Sequence, residues 1–450
     1  MKHRYLPMTE QDRSEMLAAI GVSSVDELFA DIPEAVRFQG ELPISKPLGE
    51  QALLRHLRTL AGKNADFDRY ASFLGAGIYD HHLPVVINHI ISRSEFYTAY
   101  TPYQPEISQG ELQAIFEFQS YICELTGMTV ANASMYDGAT ALAEAGALAH
   151  GATKRRKLIV SRAVHPEARQ ILLTTARGLN LEVAEIPYAD GVTDLEKLAA
   201  AVDQETAAVI VQSPNFFGCI EDIAEIEPII HGAGGLLVVS CNPLSLGLLE
   251  PPGKLGADIV VGDAQPFGIS TSFGGPTCGY FAVTDQWMRR MPGRIVGQTT
   301  DREGKRGFVL TLQTREQHIR REKATSNICS NQALLALSAS IYLSLLGKQG
   351  IREAASLNVQ KAHYAAKTIA SRKGAGLAFN SPFFNEFVVS LGAETDIAEL
   401  NAKLLDHGFI GGYDLGIDYP ELKGHMLIAV TEQRTKEEID QFAERLEELL

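Results

Sequence analysis

The chain has 450 residues, of which 45% are hydrophobic and 21% are charged. This balance is typical of a soluble globular protein with enough apolar material for a large core. The formal net charge of −15 argues against nucleic acid or an anionic membrane as the main partner.

The cysteines and the N-terminal residues indicate the compartment in which the protein is found. The five cysteines stand singly, without metal-ligand spacing, which predicts no metal site and a reducing compartment. The charged N-terminus has no apolar stretch behind it, and we find no run of about 18 apolar residues. We therefore expect a cytoplasmic protein without a signal peptide or a membrane span.

Residues 1–65 are polar and helical in pattern, and we expect them to form an N-terminal arm. Thr9 and Asp12 resemble a capping box in front of a short apolar stretch that Gly21 closes. Ser24 is the expected cap of a second short helix.

Residues 66–331 alternate short β-branched runs with helical segments and are predicted to form a large α/β domain. Runs that are apolar on both faces and separated by helices are typical of a mainly parallel sheet covered on both sides. The predicted strands are 158–160, 181–186, 207–212, 236–240, 258–261 and 278–284, and the predicted helices are 166–178, 194–202 and 220–232.

Residues 332–450 are predicted to form a small C-terminal α+β domain. Its predicted elements are the helices 332–346, 351–371, 396–407 and 436–450 and the strands 386–391 and 426–431. An arm, a large α/β domain and a small α+β domain match the build of fold type I of the transferases that depend on pyridoxal phosphate (PLP). Many α/β enzymes share this pattern, so function has to be argued from particular segments.

The first segment that carries chemistry is Tyr100–Gly110. It reads Tyr-Thr-Pro-Tyr-Gln-Pro-Glu-Ile-Ser-Gln-Gly, a loop that is stiffened by two prolines and able to aim side chains at a neighbour. The alternative is a structural connection that packs on the sheet.

The second segment, Ala133–Thr140, contains small residues that open a helix. Free N–H groups at a helix start favour an anion, so one hypothesis is a phosphate site at Gly138, Ala139 and Thr140. The alternative is that Asp137 or Thr140 caps the helix.

The third segment, Thr314–Cys329, concentrates cations in an acidic protein. It reads Thr-Arg-Glu-Gln-His-Ile-Arg-Arg-Glu-Lys-Ala-Thr-Ser-Asn-Ile-Cys. Such cations are suited to bind a carboxylate or phosphate, or to pair with a partner subunit. A solvated helical face with i,i+4 ion pairs is the alternative.

The first and third segments resemble the N-terminal half of the glycine cleavage system P-protein, a glycine decarboxylase. The stretches Phe73–Pro84 and Met291–Gly297 agree with the same family, and the resemblance covers nearly the whole chain. In some lineages this protein is one chain of two homologous halves, and in many bacteria and archaea it is two separate subunits. A length of 450 residues fits the separate first, or alpha, subunit.

The resemblance implies a reaction in which glycine loses CO2 on PLP and the aminomethyl group passes to the lipoyl arm of the H-protein. It also implies that a beta subunit carries the cofactor lysine, because no lysine lies between Lys254 and Lys305 here. Gln265 falls at the lysine position, and glutamine forms no imine. Ser240 falls near the position of the aspartate that keeps the pyridine nitrogen protonated.

A vestigial cofactor pocket is expected around Gly138, Ala139, Thr140 and His165. In this fold a ring-stacking residue often occupies the loop that contains His165. With the lysine and the aspartate replaced, we favour a helix cap or loop packing for this histidine.

The resemblance implies that this chain lends residues to the partner's active site, since active sites of this fold lie at subunit interfaces. The candidates in the first segment are Thr101, Tyr103, Gln104, Glu106, Ser108 and Gln109. The candidates in the third segment are Arg320, Arg321, Lys323, Thr325 and Asn327. Two other interpretations stay open: a structural or regulatory subunit without active-site residues, and a self-sufficient PLP enzyme that uses Lys254 or Lys323.

Overall fold

A computed structural model of the chain describes residues 5–38, 40–324, 326–328 and 330–450. Its contacts divide the chain into two units, Met1–Asn64 and Ala65–Leu450. The second unit contains both the predicted large domain and the predicted small domain. Thr325, one of the candidate site residues, lies outside the described residues.

Helix α1 of the first unit, Glu10–Ile20, begins as predicted. The Thr9 side chain accepts a hydrogen bond from the Asp12 N–H, and the Asp12 carboxylate accepts one from the Thr9 N–H at 2.7 Å. Gly21 ends the helix with a left-handed φ of 88°. The capping box is therefore confirmed.

The Ser24 cap, in contrast, is wrong. A 3-10 helix at Val25–Phe29 follows Ser24, but the Ser24 side chain makes no capping hydrogen bond. The Glu27 carboxylate instead accepts hydrogen bonds from the N–H and the hydroxyl of Ser23, which fixes the start of this turn. Helix α2, Glu50–Ala61, follows later in the unit.

The second unit alternates helices and strands. Its α-helices are α3 Val85–Ile91, α4 Ser94–Tyr97, α5 Gln109–Thr126, α6 Gly138–Thr153, α7 Pro166–Leu179, α8 Leu195–Ala201, α9 Ile223–Gly232, α10 Gln317–Arg320, α11 Ala333–Ala370, α12 Ile397–Asp406 and α13 Lys436–Leu449. Its strands are β1 Ala71–Ser72, β2 Val130–Ala131, β3 Lys157–Ser161, β4 Glu182–Ile186, β5 Tyr188–Ala189, β6 Val192–Thr193, β7 Thr206–Gln212, β8 Leu236–Ser240, β9 Ile259–Asp263, β10 Gly279–Val283, β11 Ile295–Thr300, β12 Arg306–Thr311, β13 Gly376–Leu377, β14 Glu386–Ser390, β15 Phe409–Ile410, β16 Tyr413–Asp414 and β17 His425–Ala429.

The main sheet has the strand order β2-β10-β9-β8-β7-β3-β4. The strands from β9 to β4 in this order are parallel, and β10 is antiparallel to both of its neighbours. The prediction of a mainly parallel sheet is confirmed. Along β7, Val209 and Val211 belong to the core with α5, α9 and α11, whereas Ala208 and Ile210 belong to the core with α6 and α7. Burial on both faces explains the continuous apolar runs of the sequence.

A smaller antiparallel sheet near the C-terminus has the strand order β13-β14-β17-β16. Its core takes residues from α11, α12 and α13, including Ala366, Leu400 and Phe442. Helix α11 covers the two helices predicted at 332–346 and 351–371. It has a non-helical kink between them, at Gly347, where φ is 61°.

Helix α11 is also long and apolar enough to cross a membrane by length and composition, with a mean hydropathy of 1.3 over 18 of its residues. The helix has no uninterrupted run of about 18 apolar residues, because small and hydroxyl residues interrupt it without lowering the mean hydropathy far. Ala336, Ala339 and Tyr342 of this helix are buried in the core with the main sheet.

Candidate functional site

A cavity of about 440 Å³ lies at the carboxyl edge of the parallel strands. Open α/β sheets place ligand sites at this edge, where loops leave the strand ends and helices begin. Ser240 and Asp263 line the cavity from the ends of β8 and β9, and Gly138 and His165 line it from the starts of α6 and α7.

Gln265 is buried and does not line this cavity, because its side chain is used elsewhere. Its Oε1 accepts a hydrogen bond from the Tyr79 N–H at 3.0 Å. Its Nε2 donates to the carbonyl oxygens of Tyr79 at 2.9 Å and Ile269 at 3.0 Å. The amide therefore fastens the Phe73–Pro84 stretch to the loop that follows β9.

The start of α6 is capped within the chain. Asp137 accepts a hydrogen bond from the Thr140 N–H at 2.7 Å, which confirms the cap that the sequence offered as an alternative. Gly138 and Ala139 line the cavity, and Thr140 does not.

His165 caps α7, as we favoured from the sequence. Its Nδ1 accepts from the Glu167 N–H at 3.2 Å, and its Nε2 lies 2.9 Å from the carbonyl oxygen of Ala76, to which it donates. This pattern needs one ring proton, on Nε2, and so describes a neutral imidazole. Burial lowers the pKa of His165, in agreement with that state.

Arg294 joins the first and third segments, which the sequence did not show. Its side chain is 9% exposed, and it donates to the hydroxyls of Thr101 at 3.1 Å and Tyr103 at 3.2 Å. Its Nε lies 3.8 Å from the carboxylate of Glu316 in the third segment. His318 also lies near Glu316 and Tyr103. Its Nδ1 is 3.6 Å from the Glu316 carboxylate, and its ring centroid is 6.5 Å from that of Tyr103.

The other candidates of the first segment divide into inward and outward residues. The Gln109 side chain accepts from the Phe308 N–H and donates to the Phe308 carbonyl, both at 2.9 Å, and also donates to the Pro105 carbonyl at 2.7 Å. Gln109 thus fastens the loop to β12. Ser108 is half-buried before α5, whereas three candidates are exposed and available to a partner: Tyr103, Gln104 and Glu106.

The third segment also has one inward cation. The Arg315 guanidinium donates to the carbonyl oxygens of Met291 and Gly293, and burial lowers its pKa. The candidates Arg320, Arg321, Lys323 and Asn327 are all exposed. Within the described residues, no ion pair shorter than 4.0 Å involves Arg320, Arg321 or Lys323. Helix α10 ends at Arg320, so the alternative of a longer helical face with i,i+4 pairs is wrong.

A buried carboxyl group that the sequence did not single out holds the wall of the cavity. Glu386 accepts from the Ala76 N–H and from the Tyr79 hydroxyl, each at 2.7 Å. Burial raises the pKa of Glu386 to about 7, although both hydrogen bonds act in the opposite direction. Ala76 itself has a left-handed φ of 58°, a conformation that these contacts hold in place.

Ion pairs anchor Asp80 and His81, in the same stretch, to the C-terminal part of the chain. His81 Nδ1 lies 2.9 Å from Glu432, and Asp80 accepts from Arg434 at 2.8 Å. Burial acts to raise the pKa of Glu432, but the nearby His81 and further hydrogen bonds prevail and lower it to about 2.

The main parallel sheet, the cavity at its carboxyl edge and the small C-terminal sheet define fold type I of the PLP-dependent enzymes. The structure of Lactobacillus brevis CGMCC 1306 glutamate decarboxylase matches 92% of this chain and 95% of its own, with a TM-score of 0.71. At 12% sequence identity, this likeness shows the fold alone.

The chain belongs to the glycine cleavage system P-protein family, whose model matches residues 3–446. The probable glycine dehydrogenase (decarboxylating) subunit 1 of Anoxybacillus flavithermus (strain DSM 21510 / WK1) is 64% identical over 446 residues, which are 99% of each chain. The crystal structure of a glycine decarboxylase (P-protein) of the glycine cleavage system, in inhibitor-bound form, matches 100% of both chains at 43% identity, with a TM-score of 0.89.

The residues around the cavity do not fit covalently bound PLP. This cofactor requires a lysine amine for its aldehyde and donors for its phosphate. No lysine is found among the described residues that line the cavity, and the Gln265 amide is directed to Tyr79. The N–H groups of Gly138 and Thr140, at the start of α6, are already bonded to carboxylates. We therefore assign no chemical step to this cavity.

Proposed function

We propose that this chain is the first subunit of a two-subunit glycine dehydrogenase (decarboxylating). A lysine-bearing beta subunit holds PLP in this proposal, and the pair removes CO2 from glycine and passes the aminomethyl group to the lipoyl arm of the H-protein. Membership of the P-protein family and a cavity that does not fit the cofactor support this division of labour.

The contact of Arg294 with Thr101 and Tyr103 carries the proposal that this chain contributes to the partner's site. A buried guanidinium that binds two loop hydroxyls orients the exposed part of the loop before any partner arrives. Such pre-organisation lowers the entropy that is lost on binding and is typical of functional loops. Tyr103 and Glu106 then offer a hydroxyl and a carboxylate to the partner's cofactor site or to the entrance for glycine and the lipoyl arm.

The exposed cations of the third segment suit the same purpose. Arg320, Arg321 and Lys323 lie in a protein with a net charge of −15, so they form a local attraction for acidic groups. We infer that they contact carboxylates of the beta subunit or of the substrate.

Co-expression with the lysine-bearing subunit tests the division of labour. The pair is purified, and bound PLP is counted against protein. One PLP per pair is the expected result, and two per pair would overturn the proposal.

Substitutions in the first segment separate an active contribution from a purely structural subunit. Tyr103→Phe and Glu106→Gln in the reconstituted pair should lower the exchange of CO2 into glycine, while assembly is kept. Glu196→Gln, an exposed change on α8, is the matched control. Unchanged exchange in both loop variants would favour the structural or regulatory alternative.

A further inference from the structure

The position at the start of α6 that favours an anion is occupied by the chain itself. The positive end of the helix dipole and the first N–H groups of α6 face the end of β9. The Gly138 N–H donates to Asp263 Oδ2 at 3.0 Å, and the Thr140 N–H donates to Asp137 Oδ1 at 2.7 Å. Two of these N–H groups, those of Gly138 and Thr140, therefore bond carboxylates of the chain.

The start of α6 packs tightly against the end of β9. A Cβ atom added at Gly138 would lie 3.0 Å from the carbonyl carbon of Gly262 and 3.1 Å from the nitrogen of Asp263. These distances are already tighter than ordinary van der Waals contacts. The first residue of α6 therefore lies directly against the strand end, and Asp263 is held beside the first N–H group of the helix.

Asp263 is held firmly where it is. Its Oδ2 also accepts from the Thr277 hydroxyl at 2.7 Å, and its Oδ1 accepts from the Gln265 N–H at 2.9 Å. Burial raises the pKa of Asp263, and these hydrogen bonds act against that rise. Its partners include the backbone N–H groups of Gly138 and Gln265, which only donate, so the surroundings are built for an acceptor.

Nearby residues do not offset this negative charge. Within the described chain, the cavity lining contains the carboxyl groups of Asp137, Glu167 and Asp263 but no lysine or arginine. His165 also lines it, as a neutral imidazole. A phosphate entering the cavity would meet like charges without a compensating cation.

We propose that Asp263 is a specificity-determining residue that excludes phosphate-bearing ligands from this cavity, so that a lysine at position 265 would not by itself let the chain bind PLP. This inference depends on the fold and the cavity, and it stands or falls independently of the proposed function.

Covalent trapping tests the inference on the full-length chain. Gln265→Lys alone and Asp263→Ser with Gln265→Lys are each incubated with PLP. The lysine amine condenses with the aldehyde and releases water, and borohydride reduces the resulting C=N bond. Peptide mass spectrometry then measures the label at position 265, which separates it from any PLP on a partner. We expect at least a tenfold higher label in the double variant. Equal label in both variants would overturn the proposal.

A second measurement keeps Gln265, because its replacement also removes the hydrogen bonds to Tyr79. Binding of inorganic phosphate is measured by calorimetry on wild type and Asp263→Ser, with circular dichroism as the folding control. Asp263→Asn, which keeps the shape and removes the charge, is used instead if the serine variant does not fold. Phosphate affinity that rises tenfold or more over wild type supports the proposal. A smaller rise shows that Asp263 is not what excludes phosphate.

Discussion

The guanidinium of Arg294 lies over the ring of Tyr103, with 5.4 Å between its carbon and the ring centroid, and donates to the Tyr103 hydroxyl at 3.2 Å. Tyr103 is 54% exposed, yet these two contacts restrict its ring. A cation–π contact and a charged hydrogen bond on the same side chain favour one orientation. The exposed face of the loop is therefore set from inside the protein.

Arg294→Lys should lower the activity of the reconstituted pair while the chain stays folded. Lysine keeps the charge, but its compact ammonium does not reproduce the fork that binds Thr101 and Tyr103 together. Loss of a hydrogen bond to a charged group costs about 1.5–3 kcal/mol, which corresponds to roughly tenfold or more in rate or affinity. Steady-state rates against glycine concentration show whether KM or kcat changes.

The control for this variant is Arg290→Lys, because the exposed Arg290 side chain donates to the Gly151 carbonyl at 3.1 Å, away from the first and third segments. Equal rates for both variants, with equal melting temperatures, would show that the orientation of Tyr103 does not matter for catalysis.

Gln265→Leu should destabilise the chain. The change leaves the Tyr79 N–H and the Ile269 carbonyl without the Gln265 amide, whereas the Tyr79 carbonyl keeps a hydrogen bond from the His81 N–H. A buried polar group that loses its partner costs about 1–3 kcal/mol. We expect a clear fall in melting temperature by calorimetry, against a small one for Gln433→Leu, where the side chain is exposed. The same small shift in both variants would mean that Gln265 does not fasten the Phe73–Pro84 stretch.

Local pattern was enough to predict the elements that position the site. The strand predicted at 236–240 is observed at Leu236–Ser240, and the other five predicted strands of the main sheet lie within a few residues of their predicted positions, whereas the short strand β2 was not predicted. Their apolar runs reflect burial on both faces, a property that each short segment carries in its own residues. The Asp137 cap was predictable for the same reason, since it bonds three residues along the chain.

The side-chain contacts of the site were not predictable, because they join distant parts of the chain. Arg294 lies 193 residues after Thr101, and Glu386 lies 310 residues after Ala76. No periodicity or spacing encodes such a pair. At Ser24 the observed contact is also local: the Glu27 carboxylate bonds Ser23, and Ser24 makes no capping hydrogen bond. The sequence indicated which segments belong to the candidate site. The fold was needed to show which side chains of these segments face inward.

Glu386 should make stability depend on pH near neutrality. Its pKa rises from 4.5 to about 7 on folding, so the folded chain binds more protons than the unfolded chain between these values. The contribution of this group to stability therefore falls as pH rises from about 4.5 to about 7, by about 3 kcal/mol in total.

Glu386→Gln removes the titration and keeps an oxygen for the Ala76 N–H. The difference in unfolding free energy between variant and wild type should therefore grow in favour of the variant from pH 5 to pH 8, as measured by chemical denaturation. A difference that does not change with pH would mean that Glu386 titrates in its ordinary range.

The exposed cations of the third segment should act on partner association through long-range charge. Charge reversal by Arg320→Glu or Lys323→Glu should weaken binding to the beta subunit, because the partner surface in this proposal is acidic. Exposed charges are screened over about 30 Å at 0.01 M salt and about 3 Å at 1 M salt. The loss of affinity should accordingly be large at low salt and nearly absent at high salt. Titration of the labelled beta subunit with each variant, at both salt concentrations, measures the affinity. Lys403→Glu on α12 is the exposed control. A loss that is the same at both salt concentrations, or the same in the control, would place these cations away from the contact with the partner.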